Sequence, residues 1–126
     1  MDDYNRGGHS KYSLTVHIIF VTKYRKKIFV QSKCANDVKR FLYDTSKKYG
    51  YSIIQMETDK DHVHMLLKYS PNVSVSDIVK QLKQYRTYQM WKSHKGYLSK
   101  QYWKHQILWS DGYFVCSIGQ VSQETI

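Results

Sequence analysis

Two histidines one residue apart, His62-Val63-His64, lie in the run Asp61-His62-Val63-His64-Met65-Leu66-Leu67. Side chains alternate faces along a strand, so positions 62 and 64 project the same way, with α-carbons roughly 6.5 Å apart. Both imidazoles can then reach one divalent cation. Val63, Met65, Leu67 and Tyr69 form an apolar stripe on the opposite face, which leaves the histidine face for chemistry. The same spacing also fits two strand histidines that are packed or solvated and hold no metal.

Such a strand needs partners, and the chain supplies them. From Tyr12 to Val21 the residues alternate, with Tyr12, Leu14, Val16, Ile18 and Phe20 on one face, which predicts a long first strand. After the basic run at residues 23–27, Val38, Phe41, Leu42 and Thr45 recur at helical spacing. They predict a helix from about Ser32 to Tyr49, capped by Ser32 at its start and ended by Lys47, Lys48 and Gly50. Tyr51 to Glu57 reads as a second strand, and Thr58 to Asp61 turns the chain into the histidine strand, which Pro71-Asn72 ends. A second helix opens at Ser74 or Ser76 and runs to about Trp91. Val75, Ile78, Val79, Leu82 and Tyr85 face inward, with Lys80, Lys83, Gln84 and Arg86 on its other side. Residues 93–108 read as a polar, aromatic connection to a turn and short fourth strand within Trp109 to Ser117.

The order strand, helix, strand, strand, helix, strand is the ferredoxin-like pattern. It predicts an α+β domain over residues 1–126, with a four-stranded antiparallel sheet and both helices on one face. The other face is then open, and His62 and His64 stand on a central strand. His17, opposite in parity to Leu14 and Val16, can join them. His9, His94 and His105 read as surface residues, and Trp91, Trp103 and Trp109 as core or dimer-interface residues.

With 126 residues, 41% of them apolar and 15% aromatic, the chain suits one domain with a real core. Twenty Lys and Arg against ten Asp and Glu give a net charge of +10. A polyanionic partner is expected, nucleic acid before an anionic membrane surface. No stretch approaches a membrane span, and Met1-Asp2-Asp3-Tyr4-Asn5 lacks the apolar core of a signal peptide, so the expected location is cytoplasmic. Cys34 and Cys116 stand alone, without the pairing of a disulfide framework or a structural zinc site.

Three blocks together resemble the small single-tyrosine transposases of the IS200/IS605 insertion sequences, in the HUH endonuclease group. They are Tyr24-Arg25-Lys26-Lys27, Asp59 through Leu66, and Trp109 through Gly119, and the resemblance runs over about residues 11–126. It implies a dimeric nuclease and strand transferase acting on single-stranded DNA, in which His62 and His64 hold Mg²⁺ or Mn²⁺. A tyrosine on a C-terminal helix would attack the scissile phosphate and form a 5′ phosphotyrosine link. In the family that tyrosine, and a glutamine completing the metal site, lie downstream of the glycine matching Gly119. The nucleophile is therefore expected beyond Ile126, and the chain itself is expected to be inactive.

Two clusters mix cations with aromatics, as a binder of single-stranded or hairpin DNA requires. Lys23, Arg25, Lys26 and Lys27 surround Tyr24, and Lys80, Lys83 and Arg86 accompany Tyr85 and Tyr88. Either cluster could instead be a solvated charged face. Two further readings stay open: a degenerate remnant that binds DNA without cutting it, and an RRM-like RNA-binding module of the same topology. The second wants an aromatic motif on the third strand, where this chain has His62 and His64.

Overall fold

The computed structural model describes residues 14–103 and 105–117. Tyr12, His9, Lys104, Ile118 and Gly119 lie outside them. The elements in chain order are β1 (Leu14–Val21), α1 (Ser32–Tyr49), β2 (Ser52–Asp59), β3 (His62–Tyr69), α2 (Val75–Gln101) and β4 (Phe114–Ser117), with two short 3-10 turns, Lys23–Arg25 and Ile28–Val30, between β1 and α1. The sheet order is β2-β3-β1-β4, every pair antiparallel. This is the expected ferredoxin-like arrangement, with the histidine strand in the middle.

Alternation decides which face packs. Val16, Ile18 and Phe20 of β1 and Val63, Met65 and Leu67 of β3 are buried against the helices, while Leu14, expected inward, is largely exposed at the strand's start. In β2 the pairing slips between Ile53 and Gln55, leaving Ile54 as an extra residue. The bulge reverses the parity of everything after it. Gln55, Glu57 and Asp59 consequently stand beside Leu66, His64 and His62 on the open face.

Helix α1 buries Cys34, Val38, Phe41, Leu42 and Thr45 at helical spacing. Its cap is Gln31 rather than Ser32: the Gln31 side-chain oxygen accepts from the Cys34 amide at 3.1 Å. Gly50 ends the helix in the left-handed region, at φ 82°, where a side chain would be strained. Ser74 caps α2 by accepting from the Asp77 amide at 3.0 Å. This helix does not stop near Trp91; it bends at His94 (φ −130°, ψ 35°) and continues to Gln101. Met90, Trp91 and Leu98 are buried along it, so its second half packs on the core instead of forming a loop.

Two facings on α2 differ from expectation. Tyr85 is exposed, and Arg86 is buried at 8% exposure, its guanidinium donating to the Phe41 carbonyl of α1. Packing against α1 turns the helix so that position 86 faces inward. Among the described residues no helix is long and apolar enough to cross a membrane.

Candidate functional site

The β2–β3 hairpin turns through Lys60 and Asp61 alone, because Asp59 pairs with His62. That tight turn brings Asp61 beside the histidine pair. Asp61 Oδ1 accepts from His62 Nδ1 at 2.8 Å, and its other oxygen accepts from Arg25 Nε at 3.2 Å. A carboxylate has no proton to donate, so Nδ1 carries the hydrogen and the Nε2 lone pair is left for a ligand. The hydrogen bond from His62, with help from Arg25, holds the Asp61 carboxyl below the usual carboxylate range.

The His62 and His64 rings meet at 4.6 Å between centroids, and His17 of β1 comes within 5.6 Å of His64. All three share the open face, as their parity required. Burial, with the neighbouring His62 and His17, pushes His64 below the ordinary histidine range, which favours the neutral form that ligates metals. Glu57 stands across from His64 in the register, and Asp59 Oδ2 lies 4.0 Å from His62 Nε2. Among the described residues these do not form a group of three or more ligands able to hold a metal ion. The donor chemistry of the two imidazoles fits a divalent cation, and among the described residues the ligand set is incomplete.

The basic run after β1 is built against this hairpin. Thr22 donates through Oγ1 to the Lys26 carbonyl at 2.7 Å and through its amide to the Asp61 carbonyl at 2.9 Å. The Phe29 amide reaches the Lys60 carbonyl at 3.0 Å. Tyr24 (φ 59°) and Arg25 (φ 51°) both lie in the left-handed region, at a cost of about 1–3 kcal/mol each for residues with side chains. That backbone sends Arg25 onto Asp61 and leaves Tyr24 71% exposed. Lys27 is exposed and Lys26 partly so, whereas Lys23 pairs with Asp111 at 3.6 Å.

The second cluster is divided by the fold. Lys80 is exposed. Lys83 Nζ donates to the carbonyls of Ser110, Asp111 and Gly112, at 2.7, 3.3 and 2.9 Å, and burial lowers its pKa. With Arg86 inside the core, the expected trio of phosphate contacts reduces to Lys80. Lys83 instead ties α2 to the segment leading into β4. Trp91 and Tyr102 help, Trp91 donating to the Ile107 carbonyl at 2.8 Å and Tyr102 to that of Leu108 at 3.3 Å. Trp109 packs against Phe20 and Phe29, with centroids 5.3 and 6.0 Å away. Trp91 and Trp109 are thus core residues, and Trp103, at 81% exposure, is not.

A family model described as "Transposase IS200 like" matches residues 10–126. The ISDra2 transposase TnpA of Deinococcus radiodurans is 30% identical over 115 residues, which cover 91% of this chain and 80% of that protein. The transposase for insertion sequence element IS200 of Salmonella typhimurium is 29% identical over 120 residues, 95% of this chain and 77% of that one. Among solved structures, a Deinococcus radiodurans protein described as a transposase aligns with a TM-score of 0.78 at 28% identity, over 90% of this chain and 85% of that one. A REP-associated tyrosine transposase bound to a REP hairpin aligns with a TM-score of 0.56, over 93% of this chain and 62% of its own. At 12% identity that likeness is one of fold.

Proposed function

The chain belongs to the IS200-like transposase family, and on that footing we propose that it serves the cleavage and joining of single-stranded DNA, with His62 and His64 as the metal ligands. The observation that carries the assignment is the pair of imidazoles on the open sheet face, one of them oriented by Asp61 through Nδ1. Asp61 holds His62 in the tautomer that presents Nε2, and Arg25 holds Asp61. A Mg²⁺ or Mn²⁺ bound there would supply Lewis-acid polarisation of the scissile phosphate. In the proposed reaction a tyrosine oxygen attacks phosphorus, the bond to the 3′ oxygen breaks, and that oxygen leaves with a proton. The phosphotyrosine then passes its DNA to a new 3′-OH without an outside energy source.

With two protein ligands among the described residues, most positions of the cation are left to water, so affinity should be weak. Mn²⁺ titration should show weak saturable binding, reduced about tenfold or more by Asp61→Asn and abolished by the double change His62→Ala/His64→Ala. Identical curves for the wild type and the double variant would remove the metal assignment.

Single-stranded or hairpin DNA is the proposed ligand, preferred over RNA and plain duplex, with Tyr24, Arg25, Lys26, Lys27 and Lys80 offering the contacts. The partner is a second copy of the chain. Strand β4 ends the sheet with Phe114 and Val115 exposed, and among the described residues nothing pairs with its outer edge. Such an edge is a template for another strand. Sedimentation should give about twice the 15.1 kDa of one chain. Labelling of Cys116, exposed on β4, should slow as protein concentration rises. The Cys34 thiol, buried and pushed up to about 11, should stay unreactive throughout. A monomer at high micromolar concentration would overturn the dimer.

A further inference from the structure

A cleft opens beyond the basic run, between the Lys23–Arg25 turn and the end of α2. Its volume is about 420 Å³, and Tyr24, Lys26, Lys100, Tyr102, Trp103 and His105 line it. That is room for one nucleotide. The floor is Tyr102, buried and fixed through its hydroxyl to the Lys23 and Leu108 carbonyls. Tyr24 forms a wall, its ring 6.4 Å from that of Tyr102, and Trp103 presents a largely exposed indole. None of the described lining residues is acidic. Among the described residues, Lys26, Lys100 and the exposed His105 supply the only ionisable groups of the lining besides the tyrosines.

We propose that this cleft holds an unpaired base of single-stranded DNA, stacked against Tyr24 and Trp103, with Lys26 and Lys100 on the flanking phosphates. Aromatic faces hold any unpaired base and lysines hold the backbone, so the combination selects a single strand over a duplex whose bases are already stacked. The backbone argues for use as well as shape. Consecutive left-handed conformations at Tyr24 and Arg25 deliver one residue to the cleft and the next to Asp61. A base seated here is therefore coupled through adjacent residues to the carboxylate that orients His62. The spacing of residues 93–108 predicts only a polar, aromatic connection, with Trp103 in the core or a dimer interface; the continuation of α2 to Gln101 instead places Lys100, Tyr102 and Trp103 opposite Tyr24.

This inference rests on the single-stranded DNA reading, and the test separates the two. The probes are a thymidine oligomer of about 12 nucleotides, an abasic deoxyribose-phosphate oligomer of the same charge, and a uridine oligomer of the same length. The wild type should bind the thymidine oligomer at least about fivefold more tightly than the abasic one. Tyr24→Ala and Trp103→Ala should each reduce that preference, and the double variant should remove it, leaving abasic affinity unchanged. Both side chains are mostly exposed, so the variants should keep the wild-type circular dichroism. Lys26→Ala should weaken both DNA oligomers alike and lower the salt slope by about one. Base preference that survives in the double variant overturns the cleft while the DNA reading stands. Failure to bind either DNA oligomer overturns both, and tighter binding of the uridine oligomer overturns the DNA assignment in favour of an RNA module.

Discussion

A labelled single-stranded oligonucleotide carrying an element end, incubated with Mn²⁺ and the 126-residue chain, is expected to be bound, to remain uncut and to leave no covalent protein–DNA band. Among the described residues no tyrosine makes a ring contact or hydrogen bond with His62 or His64, and none lines the pocket that holds His17, Glu57 and His64. The tyrosines with resolved shifts are moved the wrong way for attack. Burial raises the pKa values of Tyr51 and Tyr102, and the Tyr102 hydroxyl is committed to backbone carbonyls. Where no tyrosine is positioned among the described residues only water remains there, and attack without orientation or covalent catalysis is slower by several orders of magnitude. Adding a tyrosine-bearing helix from an IS200-like relative should produce the band. A covalent band from the 126-residue chain itself would show that one of its own tyrosines is the nucleophile.

Arg86→Ala should destabilise the fold by about 2–4 kcal/mol, because it removes a charged hydrogen bond and leaves a cavity between the helices. Arg86 lies over the Phe41 ring, 5.9 Å from its centroid, while its guanidinium satisfies the Phe41 carbonyl. The variant loses both at once. The melting temperature should fall by roughly 6–12 °C, with the salt slope of DNA binding unchanged. Lys80→Ala should do the reverse, leaving stability within about 0.5 kcal/mol and lowering the salt slope by about one. Differential scanning calorimetry and a salt titration on the same preparations decide the matter. A wild-type melting temperature for Arg86→Ala, with a reduced salt slope, would return Arg86 to the DNA surface.

Local periodicity was sufficient wherever one residue's neighbours decide its facing. The two-residue alternation of a strand placed Val16, Ile18 and Phe20 inward with Val63, Met65 and Leu67, and for the same reason put His17, His62 and His64 together on the outside. The spacing of Val38, Phe41, Leu42 and Thr45 likewise set the inner face of α1. The element order was enough to yield the sheet order, since short antiparallel connections and two crossing helices admit few arrangements.

What the sequence did not determine depended on contacts between residues far apart in the chain. Lys83 and Arg86 have the same charge as Lys80, yet only the packing of α2 against α1 and residues 110–112 decides that carbonyls, rather than phosphates, receive them. The bulge at Ile54 aligns Glu57 and Asp59 with the histidines, and it exists only as a register between two strands. The Tyr24 cleft needs the end of α2 to arrive opposite a strained turn 76 or more residues earlier in the chain, where Lys100 meets Tyr24. No spacing along the chain encodes that meeting, because burial of Leu98 and Tyr102 against the core is what carries the helix there.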